Sequence, residues 1–435
     1  MTIDRDTIFS RVTRALQHRN YRLFFGGQTV SLTGTWITRV ATSWLVYRLT
    51  GSELLLGVVG FCGQIPTLLL TPLAGVLVDR LDRRRMLIVT QVLSLLQSAL
   101  LAVLTLTGII TVTQLLVLQL VQGAINAFDM PGRQSFVVEM VDDRRDLANA
   151  IALNSMMVNG SRVIGPSIGG ILIAAVGEGW CFALDALSYV AVIWSLVAMN
   201  TPPSTPSTAH AHPIDDFRRG WSYVVSSVPI RSALTLVAIS STMGMPYTVL
   251  MPAIAADVLG GGPNTLGALM TAVGVGALAG GIYLASRRSV LGLGRVILLG
   301  TLLFGASLVV FSLSRRTSIA LVALAGSGIG FIVQMASTNT ILQTIVDEDF
   351  RGRVMGFYTM AILGTAPIGS LLAGLVADRV GAPIAIRLGG VLVIVSGIWF
   401  AYELPSLRAV VRAIYIERGI ITVPAVDVDT GSKTL

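Results

Sequence analysis

Long apolar runs alternate with short polar segments along most of the chain. A helix needs about 20 apolar residues to cross the hydrocarbon core of a bilayer. A stretch rich in Pro, Ser, Thr and His, from Pro202 to Pro213, separates the runs into two groups of six. The pattern predicts an all-α membrane protein with twelve transmembrane helices. The predicted spans are roughly 22–47, 54–78, 86–108, 112–135, 148–176, 180–200, 231–256, 265–286, 294–313, 317–345, 354–377 and 384–404.

The composition agrees with a chain that lies mostly in lipid. Of its 435 residues, 53% are hydrophobic and 12% are charged, whereas about a quarter of the residues in soluble domains are charged. Most of the 31 Lys and Arg residues fall in every second polar segment, beginning with the N-terminal one. Because such residues hold a loop in the cytoplasm, we predict a multi-pass protein of the cell inner membrane with both termini cytoplasmic. The net charge of +8 resides in these loops and does not indicate a nucleic-acid partner.

The few Cys and His residues argue against several kinds of site. Cys62 and Cys181 are isolated in apolar runs, and His18, His210 and His212 lie in polar segments. Two separate thiols make neither a disulfide framework nor a metal site. The chain also lacks the Gly-rich loop, ending in Lys and Ser or Thr, that binds nucleotide phosphates. We therefore predict no cofactor, no metal, no ATP-driven step and no enzymatic activity.

The two groups of runs resemble each other in sequence. The segment Ser31-Leu32-Thr33-Gly34 lines up with Ser241-Thr242-Met243-Gly244. Further matches follow in the same order, which indicates one unit repeated. We predict an N-terminal six-helix half, a cytoplasmic linker, a C-terminal six-helix half and a cytoplasmic tail. Their bounds are 1–200, 201–230, 231–405 and 406–435.

The loop after the second run is dense in charge. Gly75 lies four residues before Asp79 on the same helix face, where a missing side chain lets another helix approach. Asp79 ends the predicted helix at its C-terminus, where the helix dipole disfavours a carboxylate. Either another helix holds that carboxylate, which makes an interhelical latch, or the loop is a plain positive-inside signal. The latch residues would be Gly75, Asp79, Arg80, Arg83 and Arg84.

That stretch resembles motif A of the major facilitator superfamily, and the two-half arrangement resembles the superfamily's fold. The resemblance implies that the first, fourth, seventh and tenth helices line a central cavity. It also implies that rocking of the halves exposes a substrate site near the midplane to each side in turn. The strings from Asn126 to Gln134 and from Leu147 to Ala150 are similar to the branch that contains the enterobactin exporter and macrolide efflux proteins.

Polar residues recur at helical spacing in the spans that this fold places around a cavity. In the first span the stripe includes Gln28, Ser31 and Thr35, at intervals that keep one helix face. Such residues either line a polar, mostly uncharged cavity or hold helices together. The candidate cavity-lining residues are Gln28, Ser31, Thr35, Gln119, Gln122, Asn126, Tyr247, Gln334 and Thr338.

Four charged residues lie more than one helical turn inside the predicted spans, where a charge is costly and is a functional candidate. They are Asp129, Arg162, Arg39 and Asp185, our candidates for coupling. Arg39 and Asp185 are at a similar depth and form a static ion pair in one interpretation. Asp129, the only carboxylate on a predicted cavity stripe, is either a proton carrier or a partner for Arg133.

The fifth run contains Gly165-Pro166-Ser167-Ile168-Gly169-Gly170. Pro bends a helix and frees a carbonyl, while Gly allows close packing. The string resembles, in part, motif C of the superfamily's exporters. The Arg of the exporters' fourth-helix motif is absent, since Gln119 stands before Gly123. We expect Gly165, Pro166, Gly169 and Gly170 to set helix packing.

These features together predict a secondary active transporter that works as a monomer in the lipid bilayer. It would export bulky amphipathic small molecules, of the drug or siderophore class, by proton antiport with alternating access. One alternative is a lipid or lysophospholipid flippase. The other is a non-transporting membrane sensor.

Overall fold

The structure is a computed structural model that describes residues 14–141, 143–199, 213–287 and 291–417. Within these residues the regular secondary structure is helical, with no strand. The α-helices are α1 Arg19–Thr50, α2 Glu53–Arg80, α3 Arg83–Leu106, α4 Val112–Phe136, α5 Leu147–Val176, α6 Glu178–Ala198, α7 Pro213–Ser226, α8 Val228–Ile239, α9 Tyr247–Ala253, α10 Pro263–Ser286, α11 Leu293–Leu313, α12 Thr317–Ile345, α13 Glu348–Thr359, α14 Ala366–Val380 and α15 Ala382–Glu417.

Nine helical segments in the described residues are long and apolar enough to cross a membrane. Two of them, Val228–Val258 and Glu348–Val380, each run through two α-helices. The helices α1, α4 and α5 are also long enough but carry more polar residues. Large apolar side chains such as Leu187 and Val322 are exposed on the outside of the bundle, where lipid is their natural solvent. The prediction of an all-α, multi-pass membrane protein is confirmed for these residues.

The two composite segments are interrupted by π turns. Residues Ser240–Gly244 and Ile254–Val258 flank α9, and Met360–Gly364 separates α13 from α14. A π turn adds a residue to the helical repeat. At about 100° per residue, that addition turns the following helix to a different face. A polar stripe read at constant helical spacing therefore loses its register beyond each π turn.

Two helix pairs join the part of the chain before residue 199 to the part after residue 213. Between α5 and α10, a Cβ added at Gly170 would lie 2.8 Å from the carbonyl oxygen of Pro263 and 3.1 Å from the Cα of Gly267. Between α2 and α14, a Cβ added at Gly57 would lie 2.8 Å from the Cα of Gly374. Small residues let these backbones touch, so little space is left for side chains along either line.

Polar contacts close the end of the bundle where α1 ends and α2 begins, which we call the Glu53 end. The hydroxyl of Tyr47 donates to the Oδ2 of Asp257. The backbone N–H of Ala382, at the start of α15, donates to Glu53 Oε1 over 2.9 Å. Both contacts connect residues from the two sides of the linker, so the helices meet at this end.

The predicted linker and tail are only partly described. Residues 201–212 and 418–435 lie outside the described part of the chain. The rest of the linker forms α7 and the start of α8. The ring of Tyr223 on α7 stacks on Phe350 of α13, with centroids 4.3 Å apart. The linker helix therefore packs against the helical bundle rather than standing apart from it.

The charged loop between α2 and α3 is tied to the helices next to it. Arg83 forms an ion pair with Glu139, just after α4. Arg84 donates to the carbonyl oxygens of Leu196 and Val197, over 2.8 and 2.7 Å. These carbonyls belong to the last turn of α6, whose carbonyls have no partner within their own helix. The side chains of Gly75, Asp79 and Arg80 lie outside the described ones, so the predicted latch at Asp79 stays a prediction.

Replacing Arg84 tests how much this cap contributes to stability. Arg84→Ala leaves the carbonyls of Leu196 and Val197 without their charged donor, so we expect a loss of about 1–2 kcal/mol. The measurement is the thermal unfolding temperature of the purified protein in detergent. Arg85→Ala is the matched control, since Arg85 is exposed and its ion pair with Asp82 spans 3.7 Å. Equal effects of the two substitutions would contradict the capping role.

Candidate functional site

A cavity of about 290 Å³ lies in the middle of the bundle. Before residue 199 its wall is formed by α1, α2, α4, α5 and α6 with one residue of α3, and after residue 213 by α9 with the residues before it, α10 and α14. The wall therefore includes residues from both sides of the linker. A movement between these two parts of the chain would change the cavity's shape and its access.

Four of the predicted cavity-lining residues are on this wall. They are Thr35 of α1 and Gln119, Gln122 and Asn126 of α4. Gln122 Nε2 donates to the Oδ1 of Asn126 over 3.2 Å. On α4, which contains no π turn, all three predicted residues reach the wall, whereas on α1 only Thr35 of the three predicted residues does.

The other predicted lining residues are buried among helices. Gln28 and Ser31 are each 2% exposed and are not part of the cavity wall. Gln334 of α12 donates to the hydroxyl of Ser240, over 2.7 Å, and so joins α12 to the first π turn. Thr338 donates to a carbonyl of its own helix. In this structure these side chains are packed inside the bundle rather than on the cavity wall.

Tyr247 lies just after the first π turn and is not part of the cavity wall. It is 3% exposed and meets Phe304 edge-on, with ring centroids 6.3 Å apart. Its neighbours Met245, Thr248 and Val249 line the cavity instead. The π turn and its rotation explain the difference, and constant helical spacing in the sequence gives no sign of it.

Trp36 of α1 is at the centre of the charged part of the wall. The guanidinium carbon of Arg39, one helical turn further along, is 4.6 Å from the centroid of the Trp36 ring. The guanidinium carbon of Arg162 on α5 is 5.8 Å from the same centroid. Gly165, one turn after Arg162, provides the space, because a Cβ there would overlap the Cβ of Trp36. Both distances fall in the range of cation–π attraction.

Neither of these arginines has an acidic partner among the described residues. Arg39 and Arg162 form no ion pair and donate no hydrogen bond there. Both line the cavity, and the side chain of Arg39 is exposed to it. The alternative of a static pair between Arg39 and Asp185 is not found in this structure.

Asp185 of α6 is the one carboxylate among the described residues that line this cavity. It is 2% exposed, and its Oδ2 accepts a hydrogen bond from Ser98 of α3 over 2.9 Å. A Cβ added at Gly34 of α1 would lie 2.8 Å from its Oδ1. Asp185 therefore lies where α1, α3 and α6 meet, with the cavity on its remaining side.

Asp129 has a different environment, away from the cavity wall. Its Oδ2 lies 2.7 Å from the Nε of Arg133, one turn along α4. Its Oδ1 accepts from the side chain of Gln91, over 2.7 Å, and from the hydroxyl of Thr90, over 3.1 Å, both on α3. Asp129 is thus an ion-pair partner for Arg133 in this state and also a link between α3 and α4.

The Gly-Pro string on α5 faces two different helices. Gly165 and Gly169 lie against α1, where a Cβ at Gly169 would be 3.3 Å from the Cα of Ile37. Gly170 lies against α10, and the hydroxyls of Ser167 and Thr271 are 2.7 Å apart across the same contact. One face of the string therefore packs within the N-terminal part, while the other reaches across to the C-terminal part.

Several wall residues were not singled out from the sequence. They include Trp36, Gly60, Gly63 and Gln64 on the N-terminal side and Ser370 on α14. Gln64 was a usable signal, since it is an amide in an otherwise apolar run. Trp36 gave no such signal, because its role depends on the guanidinium groups of Arg39 and Arg162 that lie near its ring.

Comparison with known proteins places the chain among transporters. A family model described as "Transmembrane secretion effector" matches residues 13–418. The staphyloferrin A transporter of Staphylococcus aureus is 28% identical over 374 residues, covering 83% of this chain and 90% of that protein. The multidrug efflux pump Tap of Mycolicibacterium fortuitum is 27% identical over 402 residues, covering 88% and 92%. A crystal structure of the peptide transporter POT in complex with sulfate has the same fold, with a TM-score of 0.71 at 12% identity over 90% of this chain and 95% of that one.

Proposed function

Because the chain belongs to the transmembrane secretion effectors, a family of major facilitator superfamily transporters, we propose that it is a secondary active exporter of bulky, amphipathic small molecules. The substrates would belong to the drug or siderophore class that the names of its relatives indicate. We propose that the protein acts as a monomer and that its twelve spans form two six-helix halves. It would lie in the cell inner membrane with both termini in the cytoplasm. The relatives give no support to a flippase or a sensor.

The observation that carries the proposal is the cavity of about 290 Å³ between the two parts of the chain. Its wall combines methionines, which adapt to varied apolar shapes, with the amides of Gln119, Gln122 and Asn126. Such a wall suits a molecule with both apolar and polar surfaces. Alternating access then requires that the two parts rock about this cavity.

The contacts at the Glu53 end support one state of that cycle. By the positive-inside rule, we expect this end to face the outside of the cell. Tyr47 with Asp257, and Glu53 with Ala382, join the two parts there. We therefore assign the structure to a state closed toward the outside, in which substrate would enter from the cytoplasm.

We further propose that protons drive export, with Asp129 as the carrier. A proton on Asp129 cancels the charge that holds Arg133 and weakens the acceptor for Gln91 on α3. Protonation would therefore loosen the link between α3 and α4. Because two hydrogen-bond partners of this buried carboxylate lie on a neighbouring helix, binding of a proton would change how the two helices are held together. A proton-driven cycle requires such a link between protonation and helix movement.

Reconstitution into liposomes tests both levels of the proposal. With a panel of macrolides and siderophores, we expect at least one compound to accumulate against its gradient when a pH gradient is imposed. Liposomes without protein are the control. Flux that ignores the pH gradient would contradict proton antiport alone, whereas no flux of any compound would contradict the exporter. Movement of a labelled lysophospholipid between leaflets, without flux of the panel, would favour the flippase.

A further inference from the structure

We propose that Arg39, Trp36 and Arg162 form a binding site for an anionic group, and that the substrates are amphipathic organic anions carrying a carboxylate. This inference rests on the proposed function and deepens it, since it names the charge of the molecule that enters the cavity. It starts from the charges on the wall. Among the described lining residues there are two guanidinium groups, Arg39 and Arg162, and one carboxylate, Asp185. The wall therefore has an excess of positive charge even when Asp185 is ionised.

The two guanidinium groups lie close to the same ring. Their carbons are 4.6 and 5.8 Å from the centroid of Trp36. Two like charges that face the same cavity repel each other unless an anion compensates them. No carboxylate of the described residues pairs with either group. A ligand carboxylate would supply the missing negative charge and accept hydrogen bonds from the N–H groups of the two arginines.

Other arginines near the interior of this protein are paired. Arg133 lies 2.7 Å from Asp129, and Arg83 forms an ion pair with Glu139; each of these arginine side chains is 22% exposed. The chain thus provides acidic partners for arginines that act in packing. Arg39 and Arg162, at the cavity, have no such acidic partner among the described residues. This difference favours a ligand as the group that pairs with them.

The geometry also suits a carboxylate rather than an unspecific charge. A guanidinium presents N–H groups in a planar fork that matches the two oxygens of a carboxylate. Stacking on Trp36 holds the fork in position without using its N–H donors. Gly165 keeps α5 close to α1, which holds the guanidinium of Arg162 within cation–π range of the same Trp36 ring as Arg39. The site is therefore organised before the ligand arrives.

The rest of the wall would hold the apolar body of the same molecule. Met245 and Met270 line the cavity on its C-terminal side. A long flexible thioether adapts to flat or irregular apolar shapes. The combination of a fixed anion site and an adaptable apolar wall predicts a strict preference for charge with tolerance for the shape of the body.

Three probes with one body and different charges test the inference. They are 1-pyrenebutyrate, 1-pyrenebutanol and 1-pyrenebutylamine, titrated by fluorescence against the full-length protein in nanodiscs. We expect the acid to bind roughly tenfold or more tightly than the alcohol and the amine. Binding of all three with equal affinity, or stronger binding of the amine, would overturn the inference from the wild-type protein alone.

Variants then locate the site. Arg39→Gln and Arg162→Gln should each lower the affinity for the acid by roughly tenfold, leaving the alcohol nearly unchanged. Arg162→Lys should keep part of the affinity, because it keeps the charge but not the fork. Asp185→Asn should raise the affinity for the acid, since it removes the one opposing charge. Arg85→Gln, at an exposed loop position, is the control. Equal losses for all three probes in the arginine variants would show a structural role and contradict the site.

The outcomes separate this inference from the proposed function. Export of uncharged macrolides with no preference for the pyrene acid would refute the anion site and leave the exporter standing. Selective binding of the acid with no flux of any compound in liposomes would support the anion site and contradict the exporter. The two experiments use different readouts, so neither failure can be mistaken for the other.

Discussion

Gly170→Leu is expected to remove most concentrative transport while leaving the protein folded. At Gly170, α5 lies against α10 so closely that even a Cβ would come within 2.8 Å of the carbonyl oxygen of Pro263. Both neighbours are backbone, which cannot rotate out of the way, so the helices must separate. Overpacking of this kind costs about 1–3 kcal/mol, roughly a 5- to 150-fold shift between two states. Because the contact joins the two parts of the chain, that energy acts on closure of the Glu53 end.

The measurement combines export with access to the cavity from the Glu53 side. A cysteine at Thr248, with Cys62 and Cys181 replaced by Ser, should react faster with an impermeant thiol reagent when Gly170 is Leu. Gly281→Leu is the matched control on α10, since nothing lies within 4 Å of a Cβ at that position. Normal export by the Gly170 variant, or an equal loss in the Gly281 variant, would contradict a role in closure.

Asp129→Asn is expected to uncouple transport from the pH gradient. The substitution keeps the size of the side chain and its acceptor for Gln91, but it removes the charge that pairs with Arg133. Arg133 keeps contact with solvent, with 22% of its side chain exposed, so the fold should tolerate the loss. Substrate should then only equilibrate across the liposome membrane, while binding and downhill exchange continue.

The control for this prediction is Asp185, another buried carboxylate of the N-terminal part. Asp185→Asn also removes a buried negative charge, yet we expect accumulation in that variant to keep its response to pH. Both variants are measured for accumulation and for downhill exchange on the same preparations. If the Asp129 variant still concentrates substrate when a pH gradient is applied, its ion pair with Arg133 is structural and the proton binds elsewhere.

For the Gly-Pro string of α5, the sequence predicted close helix packing but not the neighbouring helices. Its residue types predict close helix packing, because Gly removes side-chain bulk and Pro removes a backbone donor. They do not say which neighbour each glycine meets. In the structure Gly165 and Gly169 face α1, and Gly170 faces α10. A substitution at Gly165 or Gly169 would therefore affect packing within the N-terminal part, whereas a substitution at Gly170 would affect movement between the two parts.

The charged residues show the same division. Their presence inside apolar runs identified Arg39, Asp129, Arg162 and Asp185 as exceptional, because each charge in a span is costly. The sequence left open which of them pair. The structure pairs Asp129 with Arg133 and leaves Arg39 and Arg162 beside Trp36, which a linear pattern cannot show because the distances arise between separate helices.

The sequence by itself determined that the protein is an all-α, multi-pass membrane transporter of the major facilitator superfamily. The length of the apolar runs predicted the membrane class, since the bilayer dictates span length, and the resemblance to motif A and to a fold of two halves indicated the superfamily. The periodicity also related Thr35 and Gln119 to one face of uninterrupted helices. Only the tertiary structure decided the composition of the cavity wall. Around Tyr247 the π turns rotate the helix, and near Trp36 three side chains from two helices meet, and neither effect is encoded in the spacing of residues along a single helix.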